Sequence, residues 1–406
     1  MKKYALWAIP ALLVLFTVFA VVVLATPSDV VYLLNWGEYI DRSLVKEFEA
    51  KYSCQVIEED VTSSEEMYQK IQSATTTYDV AIPGDYTVHQ LYEEGKLVEI
   101  DVDNPDYGNL QNYATMFTPS LKAVMDEDMK DKEGKDFSTY YMPYFWGAYS
   151  LLYSKEKKDV PETVEKNGFA SLYDRSLFGQ DVRIGMYDNA RWIVASYLLS
   201  QGRDPNEVDD SGSEEGDLSE ETRKEIIAGL RKASFDEFGN DQLKRDVANG
   251  SLDLCFTQSG DFFDALYLSF QGGEKEASFG IDVPEKTACF FDSMVIPSTV
   301  QNKRLANAFI NFMMDPENAY QNARSIGYSP TLSAVAEKFH EHAAKKENYY
   351  EDEKSGFRYS LEDFLSSYPT YLDPLERVKK AYLLKPKSVK YLTTCETIFN
   401  ALALDN

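Results

Sequence analysis

Residues Val30-Val31-Tyr32-Leu33-Leu34 form a short unbroken apolar run, the pattern of a strand buried on both faces, and it empties into Asn35-Trp36-Gly37-Glu38-Tyr39. From 41 to 52 the period changes. Leu44, Val45, Phe48 and Tyr52 fall on one helical face, with Asp41 and Ser43 placed to cap its amino end. Residues 55–58 repeat the strand pattern. Ser63-x-x-Glu66 then has the form of a capping box ahead of a helix carrying Met67 and Ile71, and Tyr78-Asp79-Val80-Ala81-Ile82-Pro83 reads as a third strand. Further strands are expected over 182–186, 252–256 and 293–296, and a helix over 305–314 that stops at Asp315-Pro316. Strands alternating with helices predict an α/β fold on a mainly parallel sheet. Ligands of such sheets lie beyond the carboxyl ends of the strands, so loops 36–39 and 84–86 belong on one rim.

The amino-terminal pattern is different. Lys2 and Lys3 precede an uncharged run over 5–25, long enough at ~1.5 Å per residue to cross a hydrocarbon core of about 30 Å. Residues 1–27 are therefore either a signal-anchor helix or a signal peptide cut after Ala25, where Val23 and Ala25 supply small residues. The length of the run favours a retained membrane helix, and no cysteine follows closely enough to accept a lipid. Both alternatives put the rest of the chain outside the cytoplasm, anchored to the outer face of the cell membrane or released as a periplasmic or secreted protein.

A length of 406 residues exceeds the usual size of one hydrophobic core, so two domains, or two lobes of interleaved segments, are expected. The 67 Asp and Glu against 41 Lys and Arg give a formal charge of −26, which repels nucleic acid and permits a cationic ligand. Residues 204–221 carry nine acids and no base, without the EF-hand pattern, and read as a solvated loop. The 3 histidines include His340-Glu341-His342, which lacks the HExxH spacing. Cys54, Cys255, Cys289 and Cys395 form no CxxC pair. Cys255 and Cys289 sit in apolar runs that suit buried free thiols. Neither a phosphate-cradling GxxxxGK[ST] loop nor a GxSxG elbow is present. No metal or cofactor is expected. With acids this abundant, a secreted glycoside hydrolase with two cleft carboxylates stays open, but a binding protein is the more economical account.

Five motifs carry a resemblance. Leu34-Asn35-Trp36-Gly37-Glu38-Tyr39 resembles the Tyr-Asn-Trp-Thr-Glu-Tyr start of the spermidine/putrescine-binding proteins of bacterial polyamine ABC transporters. It is followed in the same order by Tyr78 to Tyr86, Pro143-Tyr144-Phe145-Trp146-Gly147-Ala148, Phe291-Asp292-Ser293-Met294-Val295-Ile296-Pro297 and Ile326-Gly327-Tyr328-Ser329-Pro330. These collinear matches span about three hundred residues of the chain. The resemblance implies a type II periplasmic-binding-protein fold, two α/β lobes hinged around a ligand cleft. Lobe one would be 28–145 plus 290–335, and lobe two 146–289 plus 336–406. It also implies a monomer that captures a polyamine and delivers it to permease subunits coupled to a cytoplasmic ATPase. An anchored sensor using the same cleft is the alternative in another class.

In this resemblance Trp36, Tyr39, Tyr86, Phe290 and Tyr328 match aromatic wall positions, with Phe290 standing where Trp is usual, and Glu38 and Asp292 match amine-binding acids. Gly37 and Gly84 lie in the same loops. Each ammonium needs a carboxylate, and methylene spacers need flat apolar walls, so aromatic rings serve both. Trp146 is expected in the core, near the hinge. The second lobe departs from the family. Its Asp-Asp-Ala-Arg-Glu motif is here Asp188-Asn189-Ala190-Arg191-Trp192, and a family Trp aligns with Thr257. Two acids are thus replaced by Asn189 and Trp192, with Trp192 a candidate for the lost aromatic and Asp261 or Asp188 for a restored acid. Fewer acids favour putrescine over spermidine, or a differently shaped cation.

Overall fold

The computed structural model describes residues 29–208 and 216–403. The expected signal peptide or signal-anchor helix over 1–27 lies outside the described residues. Strand β1 (Asp29–Trp36) is the middle strand of a parallel three-stranded sheet, flanked by β2 (Cys54–Val61) and β3 (Val80–Ala81). The register Leu34↔Ala81 and Trp36↔Val61 brings the carboxyl ends of β1, β2 and β3 to one edge. Helix Arg42–Tyr52 forms as its spacing predicts: Asp41 accepts from the Ser43 N–H, and Leu44, Val45 and Phe48 are buried. Ser63 caps helix Ser64–Ser73, but the Glu66 carboxylate reaches back to the Thr62 N–H at 3.1 Å, one residue before the position a capping box uses. Of the strand expected over 78–83, β3 keeps only Val80–Ala81. The Asp79 carboxylate accepts from the N–H groups of Tyr32 (2.9 Å), Gln301 (2.9 Å) and Asn302 (2.8 Å), taking partners a ladder would use, and Pro83 has no N–H to donate.

The remaining strands are β4 (Leu97–Val98), β5 (Met142–Ser154), β6 (Ile184–Tyr187), β7 (Glu237–Gly239), β8 (Leu254–Gln258), β9 (Phe279–Asp282), β10 (Lys286–Met294), β11 (Ile296–Pro297), β12 (Ser329–Pro330), β13 (Asn348–Asp352), β14 (Phe357–Ser360) and β15 (Lys380–Leu383). Eight of them form a larger sheet with the order β15-β10-β5-β8-β6-β7, in which β9 and β12 also pair with β5. This sheet is mixed, which corrects the mainly parallel expectation. β6 is parallel to β7 and β8, whereas β5 is antiparallel to β8, β9, β10 and β12. The cause is β5 itself, 13 residues long and buried almost throughout. β9 and β10 lie end to end along one side of it, and β12 and β8 along the other.

The end of β10 zips onto the smaller sheet through the Val295 N–H to Ala81 C=O and Ser293 N–H to Pro83 C=O bonds, 2.8 and 2.9 Å long. Trp146 is buried at the middle of β5, with its indole N–H on the Pro330 carbonyl at 3.0 Å. Helix Lys303–Met313 ends as expected, and Asp315 caps the next helix, Pro316–Ile326. The carboxyl-terminal helix Val389–Ala403 packs on helices Ala190–Ser200 and Glu220–Ala233. That packing changes the reading of the acidic run. Residues 209–215 lie outside the described residues, but Asp217 is buried, paired with Arg223 and accepting from the Thr394 hydroxyl at 3.1 Å, and Ser219 opens helix Glu220–Ala233. All four cysteines are buried free thiols.

Candidate functional site

The loops after β1 and β3 meet the end of β10 where the two sheets join. Trp36, the last residue of β1, is half-buried, and its indole N–H donates to the Ile82 carbonyl at 2.8 Å, tying one loop to the other. Gly37 and Glu38 follow on the exposed tip, with Glu38 at φ 55°, a left-handed turn that reverses the chain. The turn drives Tyr39 inward. Its hydroxyl donates to Asp292 Oδ2 at 2.7 Å, and its ring meets Tyr144, Phe145 and Tyr328 edge-on at 5.7, 5.3 and 5.4 Å. Gly84 bridges to Asp292 across the same seam, and a Cβ at Gly84 would lie 3.3 Å from Asp292 Oδ1. The structure therefore brings Tyr39, Gly84, Asp292 and Tyr328 together, with Phe290 flanking Tyr328 at 6.4 Å.

Asp85, which sequence reasoning passed over, sits beside this group. It is the first residue of helix Asp85–Glu93, it is buried, and its Oδ2 accepts from the Phe291 N–H at 3.0 Å. Burial, aided by the neighbouring Asp292 charge, pushes its carboxyl up to about 7. Burial also raises Asp292 to about 6, against the lowering effect of the Tyr39 hydroxyl. The only signal for Asp85 in the sequence is an acid directly after a loop glycine at the head of a helix, which reads first as dipole complementarity. Two carboxylates whose ionised forms are held back by burial, walled by aromatic rings, form a place where a desolvated cation is favoured.

The larger sheet contributes differently from expectation. Trp192 packs at 5.3, 5.7 and 6.4 Å from Tyr187, Tyr149 and Phe256, a cluster in which Tyr149 and Tyr187 were not foreseen. Asn189 spends its side chain as the cap of helix Ala190–Ser200, accepting from the Trp192 N–H at 3.0 Å. Thr257 is buried and donates to Asp261 Oδ2 at 2.6 Å. Asp261 also accepts from the Gln258 N–H and the Tyr187 hydroxyl and pairs with Lys244 at 3.4 Å, so its charge is answered inside the protein. Asp188 is exposed. Tyr86 holds its place on the first helical turn, with the Arg191 guanidinium over its ring at 5.2 Å.

Tyr328 is held by its hydroxyl on Gln258 Oε1 (3.2 Å) and by the Tyr371 hydroxyl on its carbonyl (3.2 Å). A Cβ at Gly260 would lie 2.7 Å from the Tyr328 ring. Gly260→Ala therefore displaces that ring from Tyr39, and an overpacking cost of about 1–2 kcal/mol is expected to appear as weaker ligand binding. Gly108→Ala, where nothing lies within 4 Å, leaves binding unchanged. A titration of both variants followed by tyrosine fluorescence checks the pair.

The fold agrees with known proteins. Residues 43–349 match the family described as bacterial extracellular solute-binding protein. The chain belongs to that family. It is an extracytoplasmic solute-binding protein and not an enzyme. Among its relatives, the spermidine/putrescine-binding periplasmic protein of Escherichia coli is 27% identical over 315 residues, covering 76% of this chain and 80% of the relative. The putrescine/cadaverine-binding protein of Pseudomonas aeruginosa is 26% identical over 329 residues, covering 80% and 86%. Among solved structures, a spermidine/putrescine ABC transporter substrate-binding protein of Streptococcus pneumoniae superposes with a TM-score of 0.66 at 25% identity, covering 93% of this chain and 99% of that one. This solute-binding protein thus shares a mixed α/β fold with polyamine-binding proteins over nearly its whole described length.

Proposed function

We propose that this chain is the binding component of an ABC importer, capturing a polyamine, putrescine or spermidine, and handing it to permease subunits coupled to a cytoplasmic ATPase. The observation that carries the reading is the Tyr39–Asp292 hydrogen bond inside the aromatic group of Tyr39, Tyr328 and Phe290. An ammonium there replaces a phenol proton donor with a charge-assisted bond and keeps its methylenes against rings. Trp36, Gly37 and Glu38 at the exposed mouth and Gly84 and Asp85 beside it extend the site, Tyr86 bounds it with its ring under the Arg191 guanidinium, and Trp192 supports it through the cluster below. Asn189 and Thr257 act at one remove, as a helix cap and as a support for Asp261.

The binding site lies in the cleft of a type II fold. Lobe one comprises 28–145 plus 290–335, and lobe two 146–289 plus 336–406. The sharing of β5 between partners at its two ends supports a hinge along that strand. The protein acts as a monomer, held at the membrane by the segment over 1–27 or released when that segment is cleaved. Titration calorimetry with putrescine, spermidine, agmatine and choline tests the reading. Saturable binding of at least one polyamine supports it, and silence with all four sinks it.

A further inference from the structure

Arg191 is a charged group in this region that the proposed binding role does not use. It occupies the second position of helix Ala190–Ser200, where a cation opposes the helix dipole. Of the three acids in the motif of the resembled family, two are here Asn189 and Trp192, and Asp188, which keeps the third, is exposed. Its charge must be answered from elsewhere, and the structure shows where. One guanidinium N–H group donates to the Lys385 carbonyl, and the guanidinium carbon stands 5.2 Å from the centre of the Tyr86 ring, within the range of a cation–π contact. Tyr86 is the neighbour of Asp85, and Arg191 acts on the Asp85 carboxyl as a lowering charge, after the larger effects of burial, the Phe291 N–H and Asp292.

We infer that Arg191 is a specificity-determining residue, a built-in cation that occupies the Tyr86 face where a ligand ammonium would otherwise sit, so that the site selects a diamine over a longer triamine. The inference rests on the proposed polyamine role and deepens it. With the Tyr86 end filled, the ammonium positions left are the Asp292–Tyr39–Tyr328 group and the exposed mouth at Glu38 and Trp36. A third ammonium directed toward Asp85 meets a fixed positive charge instead of an open aromatic face.

The test is titration calorimetry of the full chain and its Arg191→Gln and Arg191→Lys variants with putrescine and with spermidine, with thermal unfolding run on each to show that it folds. The wild type is expected to bind the diamine more tightly. Arg191→Gln is expected to raise spermidine affinity relative to putrescine by tenfold or more, and Arg191→Lys, which keeps the charge, to retain the wild-type order. A wild type that prefers spermidine, or a ratio unchanged in Arg191→Gln while both ligands still bind, overturns the inference and leaves the polyamine role standing. Absence of binding by either ligand in every folded variant overturns the polyamine role and the inference with it. If Arg191→Gln fails to fold, the Arg191→Lys and wild-type titrations decide: a preference for spermidine in either one overturns the inference.

Discussion

Asp292→Asn is expected to weaken polyamine binding by about 1.5–3 kcal/mol, roughly tenfold to more than a hundredfold, while leaving the fold intact. The substitution keeps an oxygen that accepts from the Tyr39 hydroxyl, now 2.7 Å from the carboxylate, and removes only the charge. The loss therefore reports the charge-assisted part of the bond to an ammonium. A second readout separates this from damage to the protein. Burial raises the Asp292 carboxyl to about 6, so the native state pays for ionising it above that pH. Asp292→Asn should accordingly raise the melting temperature of the ligand-free protein relative to wild type at pH 8, and by a smaller amount at pH 5, where only part of that cost has been incurred. Glu38→Ala is expected to cost about 1 kcal/mol or less, because Glu38 stands exposed at the loop tip. Equal losses in the two variants would show that burial does not rank these acids.

The second large effect is the dependence of affinity on pH. Asp85 and Asp292 have raised carboxyls, at about 7 and about 6, with burial the leading cause in both. A carboxylate raised in the folded state contributes stability that is present below its unfolded value of about 4 and lost as pH rises through the folded value. The ligand-free protein should lose stability between about pH 4 and 7 on this account. A cation favours the ionised forms, so its affinity runs the other way. It should rise with pH by up to tenfold per pH unit for each acid that must lose a proton, and level off above about pH 7.5. Calorimetry near pH 6 in two buffers of different ionisation enthalpy should show net proton release on binding. Affinity that is flat from pH 5 to 8 would mean that neither acid faces the ligand.

How much of this was legible in the sequence differs by element. The β1–helix–β2 unit was readable because its apolar positions obey one period at a time and Asp41 and Ser63 cap where capping residues are preferred. β5 was not, because a strand buried on both faces has no alternation to show its direction or its partners, and its antiparallel pairing decides the mixed sheet. In the site, the loops after β1 and β3 were legible through strand-end logic and the resemblance, and the structure adds the contact between Tyr39 and Asp292, which are 253 positions apart in the chain. Asn189 and Thr257 show the limit of matching positions. Both stand where the resemblance puts an acid and a tryptophan, and both spend their side chains on this chain's own framework. Asp85 was hidden because its place on the first turn of a helix gave a sufficient local explanation, and its approach to Asp292 arises only when β10 closes against the loop after β3.

Native mass spectrometry decides whether this site takes a small polyamine. The folded chain and its Asp292→Asn variant are equilibrated at pH 8 with an equimolar mixture of putrescine, spermidine, glutamate and maltose. The expected result is a one-to-one complex carrying the mass of a polyamine on the wild type, strongly diminished on the variant. A complex with glutamate or maltose, a polyamine complex undiminished by Asp292→Asn, or a wild-type chain that carries none of the four would contradict it.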